Sequence, residues 1–491
     1  MKRRDFIKLI SAVGIASLTG GCLSGTAATS LSKAADAGKP NFLFILSDDC
    51  TFRDIGCYGG QAHTPNINQL AKDGMRFTHS FQAASMCSPT RHNIYTGLYP
   101  VKSGAYPNHT FAKAGTRSIV HYLKPLGYRV ALSGKRHIGP KEVFPFEYLP
   151  GNKNPDMKAV DKFVASAKTQ DKPFCLFACS NEPHGPHDKG DPGRYKAEEL
   201  KLPPYWVDTP ETRKGYTRYL AEITYLDGQV GDLLGILKKH GLSDNTIVIF
   251  TSEQGDGLPF GKWTCYDTGL QNALVARWPG RIKAGSVSDA MIEYVDVVPT
   301  FVDAAGQTPS PVLEGKSYLG VLLGKTDKHK EHVYGLQTTR GIINGSDHFG
   351  IRQIRSRQFK YIVNLTPEAK FQNGIVTKSP IYASWKKNAQ SDADAAEKVR
   401  RYENRPAEEL YDVVKDKYEW NNLANDPKYA KIKSKLREKL YKWMAQQGDK
   451  GQATEMEAFE HQGKHRREKY KNENKNNKNR NRKKIKSSDF H

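Results

Sequence analysis

Asn41-Phe-Leu-Phe-Ile-Leu-Ser47, followed at once by Asp48-Asp49, is the stretch from which the fold can be read. Alternate residues of a strand point to opposite faces, and here both sets are apolar, so the run suits a strand covered on both sides. Four more runs repeat it: Tyr128–Gly134, Phe174–Ser180, Thr246–Ser252 and Ala273–Trp278. Helical candidates lie between them, at Asn66–Asp73, Met157–Lys168 and Tyr219–His240. The last carries Leu226, Val230, Leu233, Leu234 and Leu237 at helical spacing. This alternation predicts an α/β protein with a large, mostly parallel sheet sandwiched by helices.

In such sheets ligands gather outside the carboxyl ends of the strands. Asp48 and Asp49 follow the first run, Lys135 and His137 the second, Pro183-His184 the third, and Glu253-Gln254-Gly255 the fourth, with Lys262 shortly after. Charged and imidazole groups therefore recur at one edge of the sheet. A rare spelling, Cys87-Ser-Pro-Thr-Arg91, lies between the first two runs. By chance alone, C-x-P-x-R would occur in a chain this long with a probability of only ~2%. Alone, it could be a buried cysteine before a proline that opens a helix. The polar groups collected at the strand ends favour a site.

The 491 residues can bury a large core and form more than one domain or subdomain. Residues 40–306 hold the alternating pattern and are expected to be the catalytic domain. Residues 307–450 change texture: His348–Asn364 alternates polar and apolar residues like a half-exposed hairpin, Glu409–Asp412 starts a strand, and Lys428–Ala445 reads as a closing helix. This region is expected to be a smaller α+β subdomain with an antiparallel sheet. No fixed-period repeat is visible.

The formal charge is +23, of which the last 28 residues, from Lys464, supply +9. Residues 459–491 are expected to form a basic, disordered tail. The seven cysteines show no framework spacing, and Cys175 and Cys179 sit in an apolar run rather than a zinc motif. Residues 1–32 read as an export signal: Lys2-Arg3-Arg4 before Phe6 matches the twin-arginine pattern, and the apolar run Leu9–Leu18 is too short to span a bilayer. Use of the twin-arginine translocation machinery, a periplasmic or cell-surface location, and Cys22 as a candidate lipid-anchor site follow as expectations. A nucleic-acid partner is not expected for an exported chain.

From about Asn41 to Ala445 the chain resembles the sulfatase family, through Cys87-Ser-Pro-Thr-Arg91, Gly97 and the strand-end residues. That resemblance implies an alkaline-phosphatase-like fold and conversion of Cys87 to formylglycine (3-oxoalanine) by a maturation enzyme. Hydration of the aldehyde would give a diol, one hydroxyl attacking sulfur and the other expelling sulfate. It also implies one divalent cation, calcium, held by Asp48, Asp49, Glu253, Gln254 and the modified Cys87. Arg91, Lys135, His137 and Lys262 would hold the nucleophile and the sulfate, and His184 would give a proton to the leaving group. Family members usually carry Asp-Asn where this chain has Glu253-Gln254, one methylene longer at both positions. Gly134–Phe146 and Asn181–His184 lie nearest the heparan N-sulfatase branch, so a sulfated carbohydrate, either N-sulfoglucosamine or an O-sulfated polysaccharide, is the implied substrate. Arg340, His187, His109 and Arg277 are candidates for sugar recognition.

Two other functions fit less well. A phosphodiester or phosphonate hydrolase of the same superfamily often carries two metals, and the sequence has few spare Asp-His pairs for them. A non-catalytic polyanion-binding protein would make the basic tail its active part.

Overall fold

The computed structural model describes residues 38–340, 345, 346 and 348–463. The expected export signal with Cys22, and the expected tail from Lys464 onward, lie outside the described residues. Among the described residues no helix is long and apolar enough to cross a membrane.

Among the described residues thirteen strands form two sheets. The large sheet contains β1 (Asn41–Leu46), β2 (Met75–Phe81), β3 (Arg129–Gly134), β4 (Glu147–Tyr148), β5 (Phe174–Cys179), β6 (Thr246–Thr251), β7 (Gln271–Arg277), β8 (Ser286–Ser288) and β9 (Ile292–Glu293). Its order is β4-β3-β5-β1-β6-β7-β2-β8, with β9 also on β2. Every pairing is parallel except those of β7, which runs antiparallel to both β6 and β2. The expected mostly parallel sheet is therefore present, and one of the five apolar runs is its reversed strand. β2 has no continuous apolar run; its signal is the weaker alternation of Met75 and Phe77.

β1 shows why the runs are apolar on both sides. Leu43 and Ile45 enter one core with the helices Met157–Thr169 and Pro210–Lys239. Phe42, Phe44 and Leu46 enter the other with the helix Val297–Ala304, where Phe301 stacks on Phe42 at 4.3 Å. The helix expected at Tyr219–His240 begins nine residues earlier, at Pro210. Thr209 caps it by accepting from the Thr212 amide, and proline occupies the first turn, where its missing N–H is harmless.

The small sheet is antiparallel throughout, ordered β10 (Val333–Gln337), β11 (Ile351–Arg355), β12 (Phe359–Asn364) and β13 (Glu408–Asp412). It has two packed faces: Ile351, Ile362 and Tyr411 join the cluster that holds Leu43 and Ile45, while Leu336, Ile354, Tyr361, Val363 and Leu410 pack with the helix Ala430–Gln447 in another cluster. Lys360 on β12 is fully buried and its Nζ lies 2.8 Å from Glu419, with Asp267 also in contact.

The first residues of the expected tail, 459–463, are part of the fold. Ala458–His461 forms a 3-10 turn, and Gln462 bridges to Thr110. The Phe111 amide donates to His461 O at 3.3 Å and the Gly463 amide to His109 O at 2.7 Å. Residues 459–463 are thus a backbone strut, a correction to the expected tail; their polar main chain finds partners that composition does not reveal.

Candidate active site

Cys87 opens the helix Cys87–Thr96, all ten residues of which are buried. Pro89 falls in the first turn, where no helical N–H is lost, and Gly97 ends the helix at φ 65°. The site is thus set at a helix N-terminus, where free amides and the helix dipole favour negative charge.

The strand ends converge on Cys87 as expected. Its Sγ lies 3.3 Å from Asp48 Oδ1, 3.0 Å from Gln254 Nε2 and 3.2 Å from Lys262 Nζ. Arg91, one turn on, places Nη2 3.0 Å from Glu253 Oε2 and 3.7 Å from Asp48 Oδ2, and donates through Nη1 to Lys135 O at 3.0 Å. Lys135 Nζ contacts Asp48 Oδ2. Lys262 Nζ reaches Asp49 Oδ1 at 2.7 Å, and Gln254 Nε2 donates to the same oxygen at 2.6 Å. His184 Nε2 stands 3.7 Å from Asp49 Oδ2.

Burial raises the Cys87 thiol to about 12 despite the opposing charge of Lys262, so an unmodified Cys87 is a protonated, weak nucleophile. Burial also opposes ionisation of Asp49, but Lys262 and His184 outweigh it and hold that carboxyl below its ordinary value. Asp49 pulls the His184 imidazole upward; burial, Lys262 and Lys135 together pull it further down.

The carboxylate and amide oxygens suit a hard cation, whereas the unmodified Cys87 offers a soft sulfur where its modified form would offer an oxygen. Asp48, Cys87 and Glu253 offer ligand atoms within 4.8 Å of one another. Glu253 Oε1 and Gln254 Oε1 are buried without hydrogen-bond partners, although buried oxygens normally have one. The longer Glu253-Gln254 pair thus still brings both side chains to the cluster.

Backbone strain concentrates here. Eight non-glycine residues have positive φ among the described residues, and Asp49, His109, His137, Gln254, Phe260 and Trp263 are six of them. Two glycines are sterically required: a Cβ on Gly134 would come 2.0 Å from Cys179 O, and one on Gly255 would come 1.9 Å from Thr268 O.

The sugar-recognition candidates separate. His109 Nδ1 meets His137 Nε2 at 2.8 Å, at the edge held by the 459–463 strut. Arg340 sits 5.9 Å over the Phe459 ring, near that strut. His187, on the His184 loop, packs its ring against Tyr219 and bonds Pro183 O at 3.1 Å. Arg277 is misplaced. It pairs with Val248 near the start of β6 and bonds Ser243 O at 3.5 Å, at the opposite edge of the sheet. The reversed direction of β7 put it there.

Three supporting residues escaped the sequence reading. Tyr219 OH accepts from the Thr51 amide at 2.8 Å and donates to Asp49 O at 3.2 Å. Asp256 accepts from Thr51 Oγ1 at 2.8 Å, tying the Asp48-Asp49 loop to the Glu253-Gln254 loop. His92 lies within 3.0 Å of Gly139 O, joining the catalytic helix to the His137 loop. Only His92 had a usable signal, its place directly after Arg91.

A buried cysteine at a helix start, facing oxygen donors and cations at the carboxyl edge of an α/β sheet, defines a hydrolase centre for an oxyanion. The sulfatase family model matches residues 40–307, and a second, N-sulphoglucosamine sulphohydrolase C-terminal, matches 255–371. An ulvan-active sulfatase of Formosa agariphila is 36% identical over 428 residues, covering 85% of this chain and 82% of the relative. Human N-sulphoglucosamine sulphohydrolase is 28% identical over 458 residues, covering 82% and 89%. A Bacteroides fragilis structure described as a sulfatase superposes with TM-score 0.67 at 20% identity, covering 85% of this chain and 97% of that one. The chain belongs to the sulfatase family.

Proposed function

We propose that the chain removes sulfate, as an ester or a sulfamate, from a sulfated carbohydrate, using formylglycine made from Cys87 and one calcium ion. The carrying observation is the placement of Cys87 Sγ among Asp48, Gln254 and Lys262, beside two buried oxygens without partners. Asp48, Asp49, Glu253 and Gln254 would hold the cation, which when bound offsets charge on the sulfate oxygens. The modified residue would supply the oxygen that attacks sulfur.

This chain's own residues do the rest. Lys262 places a positive charge beside the nucleophilic atom and fixes Asp49. Arg91 anchors Glu253 and the Lys135 backbone. Lys135 and His137 face the sulfate, and His184, with 32% of its side chain exposed, is placed to protonate the leaving sugar oxygen or nitrogen.

The identity to the ulvan-active relative supports an O-sulfated polysaccharide. The match at 255–371 and the human relative support N-sulfoglucosamine as the second reading. Lys2-Arg3-Arg4 supports twin-arginine export to the periplasm or cell surface, with Cys22 as a candidate anchor and a formylglycine-generating enzyme as a partner. Fractionation of cells carrying Arg3→Lys plus Arg4→Lys tests the export reading: retention in the cytoplasm is expected, and normal export overturns it.

Mass spectrometry of the Cys87 peptide, with parallel assays on aryl sulfate, ulvan, N-sulfoglucosamine and a phosphodiester, tests the chemistry. Aldehyde at position 87 and release of sulfate are expected. Active enzyme with a fully thiol Cys87, or turnover dominated by the phosphodiester, overturns it. Cys87→Ala should abolish turnover with an unchanged circular dichroism spectrum.

A further inference from the structure

A second cavity, of about 590 Å³, opens between the helix Ala393–Glu403 and β13 and is lined by none of the residues around Cys87. Its walls include Arg400, Arg401, Arg405, Tyr266, Tyr411 and Trp420. Arg405 is only 3% exposed, yet its Nε and Nη2 have no hydrogen-bond partner. Its guanidinium lies 3.9 Å from the Phe371 ring centroid and 5.1 Å from that of Tyr266. Cation–π contacts hold the group in place but leave the Nε and Nη2 donors in its plane unused.

The acid in the cavity wall is already engaged. Glu409 accepts from Tyr266 OH at 2.9 Å, Tyr411 OH at 2.6 Å and Asn364 Nδ2 at 2.7 Å. Arg400 is paired with Glu397 at 2.6 Å, so the guanidinium groups of Arg401 and Arg405 share the cavity with one carboxylate that is occupied by neutral donors. A buried cation without an anion is costly, and a bound oxyanion removes that cost. Arg401 lies 4.0 Å over the half-buried Trp420 ring, forming a flat cationic and aromatic rim. An oxyanion at Arg405 with a ring against this rim is the ligand shape of an anionic sugar.

We propose that this cavity is a second binding site for an anionic sugar unit, with a sulfate or carboxylate on Arg405 and the ring against Trp420. Such a site would hold a neighbouring stretch of a polysaccharide, or a second chain, away from the catalytic centre. It takes from the proposed function only the choice of sulfated glycans as probes.

The test uses the full chain carrying Cys87→Ala, with size-defined oligosaccharides of heparin, ulvan and carrageenan, their desulfated counterparts, and inorganic sulfate. Hydrogen exchange should show protection of Arg400–Asn422 by at least one glycan. Calorimetry should show its affinity falling about tenfold in Arg401→Gln and in Trp420→Ala, the effect of losing one charged or stacking contact. Arg405→Gln should weaken binding further; if it does not fold, the two rim variants still decide. Loss of binding on desulfation assigns the oxyanion as sulfate, retention by the uronate-bearing heparin or ulvan assigns it as carboxylate, and retention by desulfated carrageenan, which is neutral, overturns the oxyanion assignment. No protection with any of the glycans, or unchanged affinity in both rim variants, overturns the site. Equal protection by inorganic sulfate alone also overturns it as a sugar site. Protection by a glycan that the wild-type enzyme does not hydrolyse supports this site and counts against the proposed substrate instead.

Discussion

Arg91 is the residue on which the charge balance of the centre turns. It is fully buried and reaches both Glu253 and Asp48. Arg91→Met would leave those carboxylates short of a partner, and removing one side of a buried pair costs about 3–5 kcal/mol. A lower urea midpoint with an unchanged slope is the expected result. The partnerless oxygens of Glu253 and Gln254 predict that a chelator abolishes turnover and that calcium restores it. The same treatment should lower the melting temperature, because a cation that binds only the folded state stabilises it. Unchanged activity and melting after exhaustive chelation would contradict the cation site. Most of these residues were legible in sequence, because strand ends can be located from local pattern and their residue types name the chemistry. Arg277 was not, because its position depends on the direction of β7.

Elements add a different constraint, seen where β9 leads into the helix Val297–Ala304. Asp296 is buried, with Lys330 Nζ at 2.8 Å and His329 Nε2 at 3.0 Å. It also accepts the amides of Glu293 and Lys316, both at 2.9 Å. Burial opposes its ionisation, but Lys330 and His329 prevail and hold the carboxyl at about 2 rather than 3.8. A depressed folded-state value means that this stabilisation is complete above the unfolded value near 4 and is lost as pH falls towards 2. The contribution is roughly 2 kcal/mol. Asp296→Asn should therefore lower the melting temperature at pH 7 and flatten its decline between pH 5 and 3. A decline as steep as the wild type would show that another group controls acid stability. None of this was legible in sequence, since His329 and Lys330 lie far along the chain.

At the scale of the whole molecule, the end of the described chain is part of the site's support. The 459–463 strut bonds His109 and Phe111, and His109 meets His137. Truncation after Gly463 should leave turnover of a small sulfate ester intact and reduce only salt-sensitive binding to polyanions. Truncation after Ala458 removes the strut and should reduce kcat/KM about tenfold or more, since misplacing a positioned group by even 1 Å is costly. Equal activity of the two truncations would show that the strut does not position His137.

The sequence by itself determined the α/β class, the carboxyl edge that holds the site, the Cys87 motif and nearly every residue around it. These are local properties: strand burial is written in unbroken apolar runs, and oxyanion chemistry in the residues that follow them. Only the tertiary structure decided the reversal of β7, the shared core of the two sheets, the docking of Phe459–Gly463 beside His109, and the unpaired Arg405 in a second cavity. Each depends on contacts between residues distant in the chain, whose free energy no local pattern records.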